Sequence, residues 1–263
     1  MITFITSSFK GGTGKTSVNL HLGCGLGLFF EKRCLFVDSD PQANLSSSLG
    51  FSPDELNALP LVLQGEKTIQ EVVQNSPIKG VDIVLANTYL DQIESTAPLV
   101  SDPYSHERLR DALKPVAGDY DFCFVDIPPS FNWLCRSAFY AADYSIIAAE
   151  PEPFSVLAME RLAKYHRTVN KHHKLEVLGV VLSLWDERGA INSAIVEGIE
   201  QFFPGKIFNS KIRRDKSVPR AVFDGKPIFL TEKDSRAAKD YKKLIEEFLK
   251  RVPAEKIQEV QHV

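Results

Sequence analysis

Residues 7–17 read SSFKGGTGKTS. Glycines at 11, 12 and 14 allow positive φ and let the backbone turn several N–H groups toward one point. Lys15 follows, placed to reach the β and γ phosphates of a nucleotide, and the Thr16 hydroxyl can ligate Mg²⁺. The loop comes after an apolar run at 2–6 (ITFIT) and opens a helix near Ser17, so an anion held there sits at a helix N-terminus, where the dipole favours it. Strand, glycine loop and helix in this order predict a nucleotide-binding α/β sheet, with Gly11, Gly12, Thr13, Gly14, Lys15, Thr16 and Ser17 as the phosphate cradle. Two residues depart from the usual G-x-x-x-x-G-K-[ST] pattern: Phe9 stands where the first glycine belongs, and Lys10 adds a second cation.

Outward from the loop, apolar runs rich in β-branched and aromatic residues recur at 34–38, 81–86, 121–127, 144–149 and 175–185. They are continuous rather than alternating, the pattern of parallel strands covered on both faces. Helical patterns at 17–30, 105–114, 154–170, 190–203 and 235–251 lie between or after them, which predicts a doubly wound, mostly parallel sheet with helices on both faces. No linker or repeat divides the 263 residues, so one P-loop domain over 1–263 is expected. Residues 51–80 read as an excursion of two short helical pieces, 53–65 and 68–75, and residues 252–263 as a flexible tail. The glycines of GCGLG (23–27) lie two turns into the first helix, where they suit close packing rather than a dinucleotide turn.

The hydrophobic fraction of 44% and charged fraction of 25% are near average and exclude disordered and membrane-spanning classes. A net charge of −3 means that any nucleic-acid or lipid contact must come from a local patch. The four cysteines, at 24, 34, 123 and 135, fit neither a zinc ribbon nor a C-x-x-C pair, and three lie in apolar runs. Reduced buried thiols and a cytoplasmic location are expected, since the N-terminus runs into a strand with no secretion-signal pattern.

Acidic residues at strand ends extend the nucleotide site. VDSDPQAN puts Asp38 and Asp40 after the second strand and FVDIPPS puts Asp126 after another, at the sheet edge where open α/β sheets take ligands. A carboxylate after an apolar strand suits a Mg²⁺ ligand, so Thr16, Asp126 and Asp38 form the candidate metal set.

FKGGTGKTS, VDSDPQANLSSSLG, DYDFCFVDIPPS, AAEPEPFSVLAME, GVVLSLWDERGAIN and DGKPIF, in this order, resemble the ParA/Soj/MinD family of P-loop ATPases with a deviant Walker A box. The likeness spans nearly the whole chain and is nearest to the short, stand-alone ParA/Soj type. It implies ATP/ADP and Mg²⁺ as cofactors and gives Lys10 a catalytic role across an ATP-dependent homodimer, where it reaches the partner's phosphates. It implies that Lys15 contacts the phosphates, that Asp40 orients the attacking water, that Asp38 belongs to the surrounding switch, and that Asp126 is the Walker B aspartate. Ser17 keeps the hydroxyl of the family's usual threonine. Where the family reads I-P-R near the adenine, this chain has Ile212, Arg213 and Arg214, which leaves the base contacts of Arg213 and Arg214 open.

Residues 206–220 carry Lys206, Lys211, Arg213, Arg214, Lys216 and Arg220 against Asp215 alone, a local charge of +5. A solvated surface and a patch for sequence-independent DNA binding both fit. The resemblance favours DNA contacts by Arg188, Lys211, Arg214, Lys216 and Arg220, a nucleoid-associated ATPase of plasmid or chromosome partition, and a ParB-like centromere-binding partner that stimulates slow hydrolysis. A second basic run, 161–174, has five Lys/Arg and no acid, and its histidines lack the company of a metal site. The alternative is a MinD-like positioning ATPase acting on a membrane or protein complex. It would rest on the C-terminal helix, whose Leu244, Ile245, Phe248 and Leu249 suit packing on the sheet better, since Pro253 breaks the run and Glu246 and Glu247 oppose anionic lipid. Stable membrane association is not expected.

Overall fold

The apolar runs form strands β1 (Ile2–Ser7), β2 (Cys34–Asp38), β3 (Val73–Asn75), β4 (Val81–Val84), β5 (Phe122–Asp126), β6 (Tyr144–Ala149) and β7 (Glu176–Leu182). Helices are α1 (Lys15–Phe30), α2 (Asn44–Ser47), α3 (Leu59–Gln64), α4 (Ile69–Val72), α5 (Leu90–Ile93), α6 (Arg108–Leu113), α7 (Trp133–Ala141), α8 (Ser155–Val169), α9 (Asn192–Glu200), α10 (Ser217–Phe223), α11 (Ile228–Thr231) and α12 (Arg236–Arg251). These come from a computed structural model that describes residues 1–8, 10–93, 99, 101–152 and 154–256. Phe9 and the end of the expected tail, 257–263, lie outside the described residues.

The strands form one sheet in the order β3-β4-β2-β5-β1-β6-β7, parallel throughout except for β3, which runs antiparallel to β4. The doubly wound, mostly parallel sheet expected from the sequence is therefore the observed fold. Side chains alternate between two apolar layers. Ile5, Val37, Val125 and Ile147 face the layer that holds Leu134, Phe139, Met159, Leu162 and Ile199. Phe4, Phe36, Phe124 and Ile146 face the layer that holds Leu20, Leu22, Tyr241, Leu244, Ile245 and Phe248. Both faces are thus largely dry, which is why the parallel strands are mostly apolar, their buried polar positions being chiefly hydroxyls such as Thr3, Thr6, Ser7 and Ser145 and the strand-end carboxylates Asp38 and Asp126.

The C-terminal α12 packs on the sheet: Phe248 lies 5.0 Å, ring to ring, from Phe4 and 5.9 Å from Phe122. Burying such a side chain contributes roughly 2–3 kcal/mol. The GCGLG glycines do what close packing needs, since a Cβ at Gly23 would meet the Phe36 ring and one at Gly25 the Ile245 side chain. All four cysteines are buried and free. No helix among the described residues is long and apolar enough to cross a membrane.

The excursion at 51–80 differs from its expected form. Its first piece shortens from the expected 53–65 to α3, with turns and bends before it, and the second splits: a capping box of Thr68 and Glu71 starts α4, which ends after one turn at Val72. The β-branched Val73 then enters the antiparallel edge strand β3, opposite Val84. Pairing at the sheet edge outweighs continuation of a short, weakly nucleated helix. The last strand pattern also stops early: β7 ends at Leu182, and Leu184 takes a left-handed φ of 53° that turns the chain out of the sheet.

Candidate functional site

The glycine loop connects the C-terminal end of β1 to α1. Gly12 and Gly14 have φ of 77° and 85°, and Gly14 is the N-cap of α1, so the turn uses the left-handed backbone that glycine adopts without penalty. Lys15 and Thr16 begin the helix, with Lys15 only 7% exposed. The loop is tied to the end of β7 by Ser183, whose hydroxyl donates to the Thr13 carbonyl.

Strand pairing sets Asp126 beside both Thr6 and Asp38. The Thr16 hydroxyl donates to Asp126 Oδ2 at 2.7 Å, and the Asn19 amide donates to Oδ1 at 2.8 Å. Thr6 in turn donates to Asn19 Oδ1 at 2.6 Å. Asn19 is a site residue that the sequence reading missed. Its signal was available: a polar residue one turn beyond Lys15, on the helix face that must meet the sheet.

Asp38 behaves differently from Asp126. Ser46 donates to its Oδ2 through both backbone N–H and hydroxyl at 2.8 Å, and the Asp40 N–H donates to Oδ1 at 3.2 Å. Both oxygens therefore organise the 38–46 loop, while Thr16 and Asp126 form the tighter hydroxyl–carboxylate pair. Asp40 accepts from the Gln42 N–H at 3.0 Å, and its Oδ2 carries no hydrogen bond among the described residues. Burial pushes all three carboxyls up; Asp126 adds to this at Asp38, while Thr16 and the Lys15 charge oppose it at Asp126. A lysine, a hydroxyl and buried carboxylates short of positive charge fit a nucleotide phosphate with a divalent cation.

Lys10 stands at the mouth of this site and turns back on its own chain. Its ammonium pairs with Glu152 and lies 3.6 Å from Glu150 Oε2. Glu150 also accepts from Arg214 Nη2 at 2.8 Å, so one carboxylate joins the deviant lysine to the segment after β7. Lys10, Glu150, Glu152, Phe154, Leu157 and Arg161 line a cavity of about 250 Å³. Neither glutamate was singled out from sequence: AAEPEPFSVLAME counted toward the family resemblance, but no role for its acids followed from it.

Arg213 does not stand free for a base. Its guanidinium forks onto Asp240 at 2.9 and 2.7 Å, its backbone N–H donates to the same carboxylate, and Glu187 lies 3.6 Å away. Trp185, Arg188, Arg213, Arg214 and Lys216 line a neighbouring cavity of about 640 Å³. Of the basic cluster at 206–220, Arg213, Arg214 and Arg220 are paired with acids from outside it: Asp240, Glu150 and Glu232. Lys211 lies 4.0 Å over the Trp185 ring, and Lys216 and Arg188 are exposed.

A mostly parallel sheet in which the interior strand β1 delivers a glycine loop to a helix N-terminus, with a carboxylate from the adjacent strand β5 on the loop threonine, defines a P-loop nucleoside triphosphatase. A family model described as an AAA domain matches residues 1–178. The chain is 48% identical over 249 residues to a ParA family protein of Chlamydia pneumoniae, covering 95% of this chain and 98% of that one. It is 32% identical over 250 residues to the chromosome partitioning protein ParA of Caulobacter vibrioides, covering 92% and 91%. Among solved structures, Cyanothece apo McdA superposes with a TM-score of 0.85 at 21% identity, over 96% of this chain and 100% of that one. The chain belongs to the ParA family of P-loop ATPases.

Proposed function

We propose that this protein is a Mg²⁺-dependent ATPase that dimerises on ATP, holds DNA non-specifically as the dimer, and is reset by hydrolysis during plasmid or chromosome partition. The observation that carries this reading is Lys10: a cation placed ahead of an intact phosphate cradle, at the protein's surface, and paired among the described residues with half-buried Glu152 and buried Glu150 of its own chain. Such a group can move to the phosphates of a facing protomer, where a second ammonium offsets charge on the transferred phosphoryl group.

In this reading the N–H groups of 11–16 and Lys15 hold the phosphates. Thr16 and Asp126 would hold Mg²⁺, which would supply charge neutralisation to the phosphates. Asp40 orients the attacking water, and Asp38 holds the loop that carries it through Ser46. Loss of the γ-phosphate releases that loop and with it the dimer. Turnover is slow and raised by a centromere-binding partner, and the protein works in the cytoplasm on the nucleoid.

The test is sedimentation with ATP and with ADP. Lys10→Ala should bind nucleotide yet fail to dimerise or hydrolyse, and normal turnover in that variant overturns the cross-protomer role. Asp40→Ala should form dimers that persist in ATP. ATP-loaded wild type that ignores random duplex at low salt, while sedimenting with anionic vesicles, overturns the partition reading.

A further inference from the structure

The basic segment that composition marks at 206–220 loses much of its free charge in the fold, since three of its six cations are bound by acids brought from elsewhere. The second basic run keeps three of its five cations outside any ion pair among the described residues, and its other two meet acids close by in sequence. Arg161, Lys164 and Arg167 lie on the exposed side of α8, and Lys171 and Lys174 on the turn that follows. Arg161, Arg167 and Lys171 form no ion pair among the described residues. Lys164 is bonded to Glu160 at 2.7 Å and Lys174 to Glu176 at 2.8 Å. Arg161 and Arg167 also act on the Glu160 carboxyl, so one anion faces three cations. Exposed Arg136 on α7 reaches Tyr165 of α8 and adds a flanking charge.

This surface lies on the opposite face of the sheet from 206–220. Met159, Leu162, Ala163 and Val169 anchor α8 in one apolar layer, while Ile212, Ala221 and Leu244 belong to the other. It is also carried by a single chain, with a buried side that fixes the helix.

Resting on the DNA-binding reading above, we propose that α8 and its following turn form a second, sequence-independent surface for duplex phosphates, complete within one protomer. Arg161 and Arg167 are about 9 Å apart along the helix axis at ~1.5 Å per residue. That span matches two or three phosphate-to-phosphate steps along one strand, each ~3.4 Å along the duplex axis. The exposed apolar side chains Phe154 and Leu157 lie N-terminal to Arg161, and no exposed large apolar side chain interleaves Arg161, Lys164, Arg167 and Lys171, so the basic stretch itself is suited to phosphates rather than to a bilayer.

The experiment is fluorescence anisotropy of a labelled random duplex with the full chain, in ATP and in ADP, from about 50 to 200 mM salt. Wild type should retain weak binding in ADP. Lys164→Gln/Arg167→Gln/Lys171→Gln should lose it and lower the log–log salt slope in ATP by about 2–3, near 0.9 per phosphate contact. Arg167→Lys should match wild type, and circular dichroism with nucleotide binding establishes that each variant folds. An unchanged slope in the triple variant, while Arg188→Gln/Lys211→Gln/Lys216→Gln abolishes binding, overturns this surface and leaves the partition reading standing. Loss of vesicle binding in place of DNA binding in the triple variant also overturns it. Wild type that binds no duplex in ATP overturns the partition reading itself.

Discussion

Replacing Glu152 by glutamine should strengthen the ATP-bound dimer. The side chains of Lys10 and Glu152 are 48% and 38% exposed, so their bond is a surface ion pair, contributing about 0.2–1 kcal/mol. A dimer in which each Lys10 crosses to the other protomer breaks two such pairs, a cost of about 0.4–2 kcal/mol. At about 1.4 kcal/mol per tenfold, Glu152→Gln should tighten dimerisation roughly 2- to 30-fold. Glu150 remains within 3.6 Å of Lys10 and sets a floor on the release, while Arg214 competes for that carboxylate. Sedimentation equilibrium in ATP, on an Asp40→Ala background that holds dimers in the ATP state, measures the constant. Raising salt to about 1 M should close the gap between variant and parent by screening the exposed pair. A Glu152→Gln dimer no tighter than its parent at low salt refutes the idea that the monomer holds Lys10 back.

Asn19→Leu removes the hydrogen bond it donates to buried Asp126, the one it accepts from Thr6 and a long one of 3.5 Å to the Val125 carbonyl; unfolding stability should fall by about 1–3 kcal/mol, with weaker Mg²⁺-dependent nucleotide binding by calorimetry. Gly23→Ala should destabilise by about 1–3 kcal/mol in urea titration because its Cβ meets Phe36, the reverse of the roughly 1 kcal/mol gain that glycine-to-alanine brings to an open helix. His166 is 4% exposed with neither ring nitrogen bonded, and burial lowers its pKa to about 4. The unfolded chain, near pKa 6.5, binds the proton more readily, so stability falls as pH drops from about 6.5 toward 4, by roughly 1 kcal/mol per unit. His166→Phe should flatten that part of the pH–stability curve. His21 falls in the same window: its Nδ1–H donates to the Ser17 carbonyl and Nε2 accepts from the Ile228 N–H, an arrangement that only the neutral ring can make.

The strands were legible because a parallel sheet buried on both faces leaves few polar positions inside a strand, and five helices followed from their apolar periodicity. Helices α2, α5, α7, α10 and α11 were not: four of them span only four to seven residues and owe their turns to packing rather than to periodicity, while nine-residue α7 was missed although Asn132 caps its N-terminus. The edge strand β3 was misread for a related reason. Three residues hold too little pattern to reveal a pairing whose partner, Val84, is eleven positions further along the chain.

Within the site, legibility followed how local each determinant is. The cradle is one continuous segment, and Asp38, Asp40 and Asp126 are marked by the apolar strands that precede them. The long-range pairs left no such mark. Glu150 and Glu152 meet Lys10 across about half the chain, and Asp240 meets Arg213 because α12 returns to the end of β7. Charge counted along a sequence overstates a patch whenever the fold brings in acids from outside the window. It is more faithful where the cations share one helix whose neighbours in space are also its neighbours in sequence. By that argument the 206–220 cluster and the 161–174 run exchange rank. In the fold the first is partly a set of braces around Trp185 and α12, and the second is the surface where added salt should have the larger effect.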